Sequence, residues 1–127
     1  MIFIQGNVPS SKNSKRWTGK MLINSKTVMK YIKETKSQYE ENRINFQEMI
    51  AGLEFPVVVS FKFIRGSKHK FDYINPAQTV QDLMVKNGWI EDDNCDFMIP
   101  TFVQYEYNKE NPGVEINVYG RQNNTIS

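Results

Sequence analysis

Residues 57–65, VVVSFKFIR, constrain the fold more than any other stretch of the chain. Val57, Val59, Phe61 and Phe63 point one way along an extended backbone, with Ser60 and Lys62 opposite. This alternation predicts a strand with at least one well-buried face. Such a strand needs neighbours, and the chain offers several. MIFIQG at residues 1–6 reads as a short strand, and 21–23 as a second. Two more are expected at 102–107 and 114–119, joined by the turn NKENPG.

Two helices are expected between them. Residues 25–51 carry a broken apolar face of Val28, Ile32, Tyr39, Ile44, Phe46, Met49 and Ile50, ended by Gly52, while Lys26, Lys30, Lys33 and Lys36 mark the solvent side. The second helix begins at Asn75 as N-cap, with Pro76 in the first helical position and Gln78 closing a capping box, and it stops at Gly88. The order β-(β)-α-β-α-β-β predicts an α+β fold, a small mixed or antiparallel sheet with two main helices packed on it.

The 127 residues suit one domain over 1–127, with a core of about 2–120 and a loose tail at 121–127. No internal repeat or linker divides the chain. Seven Gly and five Pro exclude collagen-like or Pro/Gly-rich disordered classes. Cys95 is the single cysteine, which leaves no internal disulfide or multi-cysteine zinc site and fits a reduced, cytoplasmic setting. It reads as a small buried residue. No run approaches ~18 consecutive apolar residues, and the N-terminus lacks the order of a secretion signal, so no membrane association is expected.

Net charge is +2, yet its distribution is uneven. Residues 1–70 hold 13 Lys/Arg against 5 Asp/Glu, and residues 71–127 hold 3 against 9. A basic half suits a polyanionic partner. An acidic half within the same small domain suggests carboxylates retained for chemistry.

Those carboxylates concentrate in residues 70–96, KFDYINPAQTVQDLMVKNGWIEDDNCD. At 100° per residue Asn75, Gln78, Asp82 and Lys86 fall within ~80° of one another, and Ala77, Val80, Leu83 and Met84 must face the core. Asp72 precedes this helix; Asp92 and Asp93 follow it. A helix of this length spans roughly 20 Å, so a returning loop, pinned by Trp89 and Ile90, is required to bring Asp93 beside Asp72. Two ionised carboxylates ~4 Å apart repel by about 4 kcal/mol at an effective dielectric of 20, so clustered aspartates call for a cation. Hard oxygen ligands select Mg²⁺ or Mn²⁺, which activates water and stabilises charge on a phosphodiester.

The pattern D-x-x-N-x-x-Q-x-x-x-D-L-x(4)-G-W-x-x-DD, from Asp72 to Asp93, resembles the core motif of the RusA family of Holliday junction resolvases. The early PSSKNSKR segment, Pro9 to Arg16, is similar to the family's N-terminal segment, and the resemblance covers roughly residues 2–120. It implies a RusA-like fold and a small, homodimeric, Mg²⁺-dependent endodeoxyribonuclease, with Mn²⁺ as substitute. The implied substrate is branched DNA such as the four-way junction, cleaved in recombination and repair of a bacterium or its phage; no small-molecule cofactor is implied.

By the same resemblance Asp72 and Asp93 match the outer metal-site aspartates, Asp92 the other half of the closing pair, Asp82 the helix aspartate and Asn75 the residue that starts the helix. Asp72, Asp82 and Asp93 are thus the candidate catalytic set, Asp72, Asp92 and Asp93 the candidate metal ligands, and Asn75 and Gln78 their support. Glu91 is a further available oxygen. Two positions depart from the family pattern: its middle aspartate is here Ile74, and its helix lysine is Gln78. These departures keep a second reading alongside the first, a degenerate RusA-like module that binds branched DNA without cutting.

Lys12, Asn13, Lys15 and Arg16 in the early loop, and Arg65, Lys68 and Lys70 before Asp72, are the candidate phosphate contacts. His69, the only histidine, reads as a solvent-facing loop residue. Trp17 suits either a stacking surface or a packed anchor.

Overall fold

The computed structural model describes residues 1–10, 15–17 and 22–120. Lys12, Asn13 and the expected tail at 121–127 lie outside the described residues. Strand β1 (Ile2–Gln5) opens the chain, and the short strands β2 (Lys15–Trp17) and β3 (Leu22–Asn24) pair antiparallel as a separate two-stranded unit. Helices α1 (Lys26–Glu41) and α2 (Arg43–Ile50) follow, then β4 (Val57–Arg65), α3 (Ile74–Lys86), β5 (Met98–Tyr107) and β6 (Gly113–Tyr119). The fold is α+β, with a four-stranded mixed sheet in the order β1-β6-β4-β5. Among the described residues no helix is long and apolar enough to cross a membrane.

Strand β4 is the axis of the domain. It pairs antiparallel with β6 (Phe61 opposite Ile116) and parallel with β5 (Phe61 opposite Phe102). Val57, Val59, Phe61 and Phe63 are fully buried, as their alternation predicts. Ser60, expected on an open face, is buried too. On that face Val58 and Lys62 stay partly exposed, and Lys62 makes a 2.6 Å bond to Glu106 on β5 and a 3.8 Å pairing with Glu115 on β6. These carboxylates raise the Lys62 pKa.

β5 and β6 are consecutive in sequence but are not neighbours, because β4 lies between them. The connection expected as a simple turn crosses the end of β4, where Asn108 N donates to the Arg65 carbonyl (2.9 Å). β5 also begins at Met98, four residues earlier than the pattern suggests. Parallel pairing with β4 recruits the Met98–Thr101 stretch, which shows little alternation of its own.

The long helix expected over residues 25–51 is two helices. Ser25 caps the first through its hydroxyl, which accepts from Val28 N (3.3 Å). The break falls at Asn42 (φ −88°, ψ 1°), whose side-chain amide donates to the Gln38 carbonyl (2.8 Å). Asn competes in this way for backbone groups and ends α-helices locally. The buried face is Val28, Tyr31, Thr35, Tyr39 and Phe46. Ile44, expected inside, is 57% exposed, since the break resets the helical phase.

α3 buries Ala77, Val80, Leu83 and Met84 as its spacing requires. Its start differs from expectation. Asn75 is not the N-cap, because Tyr73 is already helical (φ −53°, ψ −36°) and the Asp72 carbonyl accepts from Asn75 N (3.0 Å). The capping box is therefore not formed. The C-terminus closes as predicted at Gly88 (φ +74°), with Gly88 N donating to the Val85 carbonyl and Trp89 N to that of Met84. These are the two bonds of a Schellman motif.

Candidate functional site

The site is built where β4 ends. Arg65, the last residue of β4, is 4% exposed, and its guanidinium turns inward. One terminal nitrogen donates to the Val8 carbonyl (2.6 Å), the other to the Ser10 hydroxyl (2.9 Å), and the group lies 4.7 Å over the Phe71 ring. Burial lowers its pKa from the ordinary value. Arg65 is therefore not the phosphate contact expected of it. Charge-assisted bonds to a carbonyl and a hydroxyl make it a clamp that ties residues 8–10 to the end of β4.

Beyond the clamp, aromatic rings hold the backbone of Asp72. Phe71 meets both Tyr73 and Tyr105 edge-on at 5.2 Å, and Tyr73 packs on Phe102 at 5.6 Å. The Tyr73 hydroxyl accepts from Tyr105 N (3.1 Å). Asp72 stands between two anchored residues, and its side chain opens on a cleft of ≈ 640 Å³. Lys70, Asn75 and Ser10 line the same cleft, with Tyr105 as its apolar wall. Asp72, Lys70 and Asn75 thus line one cleft. Ser10 and Tyr105 were not legible as site residues: one arrives through the Arg65 clamp and the other through sheet pairing.

Gln78 and Asp82 are exposed on α3. Asp82 lies two turns from Asn75, roughly 10 Å along the axis. Ile74, at the head of α3, is 69% exposed. Lys68 and His69 are exposed beside Lys70, with the Lys68 ammonium 5.0 Å from the Tyr107 ring centroid. Lys15 and Arg16 fall on β2, opposite Asn24 and Ile23, and Trp17 lies opposite Leu22.

Asp92 and Asp93 do not join Asp72 within the chain. Trp89 is buried and donates its indole N–H to the Tyr39 carbonyl (2.7 Å), with its ring 5.5 Å from Tyr39 and 5.3 Å from Phe46. So pinned, the following loop orders itself: Asp92 accepts from Asp93 N (2.7 Å) and from the Asn94 amide (2.9 Å), and the Asn94 carbonyl accepts from Phe97 N and Met98 N. The Phe97 carbonyl then receives Val57 N, at the opposite end of β4 from Arg65. Asp72 lines its cleft with Tyr105, whereas Asn94, next to Asp93, accepts from Met98 N, and Met98 and Tyr105 stand seven residues apart on one strand, roughly 23 Å at strand rise. Among the described residues no group of three or more His, Cys, Asp or Glu is placed to hold a metal ion. Trp89 thus pins the loop but does not return it towards Asp72. Cys95, expected inside, is exposed in this loop.

The geometry offers one carboxylate, one amide and one ammonium around an open cleft, a set suited to a phosphate ester and to a hard cation. Compared with known proteins, the chain matches no family model and no curated protein.

Proposed function

We propose that the protein is a RusA-like endodeoxyribonuclease that cleaves branched DNA, four-way junctions above all, as a cytoplasmic homodimer in recombination and repair. The observation that carries this reading is the convergence of Asp72, Lys70 and Asn75 on one cleft at the head of α3. In this reading Lys70 and Lys68 draw in the phosphate backbone, the Asn75 amide orients a phosphate or water, and the aromatic wall of Phe71, Tyr73 and Tyr105 keeps Asp72 in place. Mg²⁺, or Mn²⁺ in its stead, is the cofactor the reading calls for, with Asp72 as the ligand the cleft supplies; one or two protein carboxylates suffice when phosphate and water complete the shell. When bound, such an ion supplies charge stabilisation and an activated water.

The deciding experiment is a cleavage assay on a synthetic four-way junction with Mg²⁺ or Mn²⁺. Paired incisions in opposed strands, lost by at least 100-fold in Asp72→Asn with junction binding retained, are expected. Absence of cutting at excess protein, with no heat of Mn²⁺ binding in calorimetry, would remove the enzyme reading. A second reading has its own observation: Ile74 exposes an apolar side chain where the family pattern carries a carboxylate, and Gln78 replaces a cation. This favours a module that binds branched DNA without cutting, and it calls for junction binding by the unaltered chain with no incision and weak or absent Mn²⁺ affinity.

A further inference from the structure

We propose that Ser10, backed by the buried guanidinium of Arg65, is the phosphate-oxygen subsite of the Asp72 cleft. That role rests on the reading of the cleft as a phosphodiester site, and it names the group that receives a non-bridging oxygen of the ester.

Arg65 is a cation where a cation is costly. It is 4% exposed, and its terminal nitrogens donate to neutral oxygens, the Val8 carbonyl (2.6 Å) and the Ser10 hydroxyl (2.9 Å). Its Nε is buried and has no acceptor among the described residues. A buried charge is ordinarily offset by an opposite charge beside it. Among the described residues no carboxylate pairs with Arg65, and burial alone accounts for its lowered pKa. The segment that meets this charge is fixed in advance: Arg65 holds residues 8 and 10 at once, and Gly66 N donates to the Asn7 side chain (2.8 Å). Ser10 is therefore set against the end of β4 before any ligand arrives, and it also lines the cleft.

A hydroxyl has one proton and two acceptor lone pairs. The bond from Arg65 takes a lone pair of Ser10 Oγ, and the hydroxyl proton cannot point at the cation that donates to it. It is turned away from Arg65, and the cleft is the side from which an outside acceptor arrives. A charge-assisted bond into Oγ also polarises the O–H and strengthens the next bond it makes. Ser10 thereby brings part of the Arg65 charge to the cleft while the guanidinium stays inside. The group that suits such a donor is one that only accepts, an anionic oxygen. Lys70 adds an ammonium and Asn75 an amide N–H to the same cleft, so three kinds of donor are available to a tetrahedral oxyanion. Asp72 repels that anion and favours its seating toward Ser10 and Lys70.

Inorganic phosphate is the probe, followed by nitrogen–proton NMR of the full chain without DNA or metal. The Arg65 Nε–H is shielded from solvent and reports on Ser10, whereas phosphate held by Lys70 alone would leave it unmoved. Saturable shifts of this signal and of the Ser10 amide are expected. Ser10→Ala should weaken phosphate binding about tenfold, as for the loss of one hydrogen bond to a charged group. Ser10→Thr, which keeps the hydroxyl, should restore it. Shifts confined to Lys70 and Asn75, no saturable shift, or a folded Ser10→Ala that binds phosphate as wild type does, each overturns the proposal. The wild-type shifts decide it even where Ser10→Ala fails to fold. Paired incision of four-way junctions with no phosphate effect at Ser10 would discard the subsite and keep the nuclease. Phosphate held at Ser10 by a chain that neither binds nor cuts junctions would do the reverse.

Discussion

The indole N–H of Trp89 donates to the Tyr39 carbonyl at 2.7 Å, and this bond directs the acidic loop away from Asp72. It joins α1 to the residue that closes the Schellman turn of α3, so that Glu91 to Asp96 leave toward Val57. The acids of the motif, 21 positions apart in sequence from Asp72 to Asp93, are thereby sent to opposite ends of the sheet.

Trp89→Phe should preserve most of the ring packing on Tyr39 and Phe46 but orphan the Tyr39 carbonyl. A destabilisation of about 1–3 kcal/mol is expected from the unsatisfied group. Urea unfolding checks it, as a lower midpoint at unchanged slope. Hydrogen exchange at residues 92–98 should rise in the same variant, since the loop is held by Trp89 and its own short-range bonds.

Arg65 and Lys70 should separate structure from binding. Arg65→Met removes two charge-assisted bonds and strands the Val8 carbonyl, for a loss of about 3 kcal/mol. Lys70→Ala, at an exposed position on the cleft, should leave the melting temperature within a degree or two. It should flatten the log–log salt dependence of junction binding by about 0.9, one phosphate contact. Equal thermal loss in both variants would contradict the assignment of Arg65 as an internal clamp.

Gly113 is needed for space. A Cβ there would meet the Ile4 carbonyl and the Phe3 ring, so β1 and β6 approach only because residue 113 has no side chain. Gly113→Ala is expected to cost roughly 1–3 kcal/mol by overpacking, and Gly113→Val more, both measurable as thermal shifts. Gly52→Ala, with open space around its Cβ and φ +79°, should cost only backbone strain, about 1 kcal/mol.

Tyr31 and Tyr39 share a buried hydroxyl pair at 3.0 Å, and burial raises both pKa values above the ordinary 10. A raised folded-state pKa contributes stability that is whole below the unfolded value and is lost as pH climbs above it. Stability should therefore fall above about pH 10. Ultraviolet titration of tyrosinate should show these two residues ionising only with alkaline unfolding, and Tyr39→Phe should move that transition to higher pH.

Much of this was legible in local pattern. The buried side of the run at Val57–Arg65 (Val57, Val59, Phe61 and Phe63), the buried face of α3 and its stop at Gly88 each depend on residues within a few positions of one another, and they stand as read. So does the α+β class. The helix break at Asn42 was less legible, because Asn is tolerated within helices and ends one only when its amide finds a carbonyl such as that of Gln38.

What only the tertiary structure decided concerns residues whose partners are distant in sequence. Arg65 reads as a surface cation beside Lys68 and Lys70, yet its partners Val8 and Ser10 lie more than fifty positions upstream and take it inside. Asp72 and Asp93 read as one site because both flank α3. A helix has length, and a parallel crossover returns the chain to the far end of the neighbouring strand. Sequence alone determined that the chain carries basic and acidic poles and a helix between two sets of aspartates. Pairing of β5 parallel to β4 determined that those sets face opposite ends of the sheet, since strand direction is set by long-range hydrogen bonding and leaves no local pattern in the residues themselves.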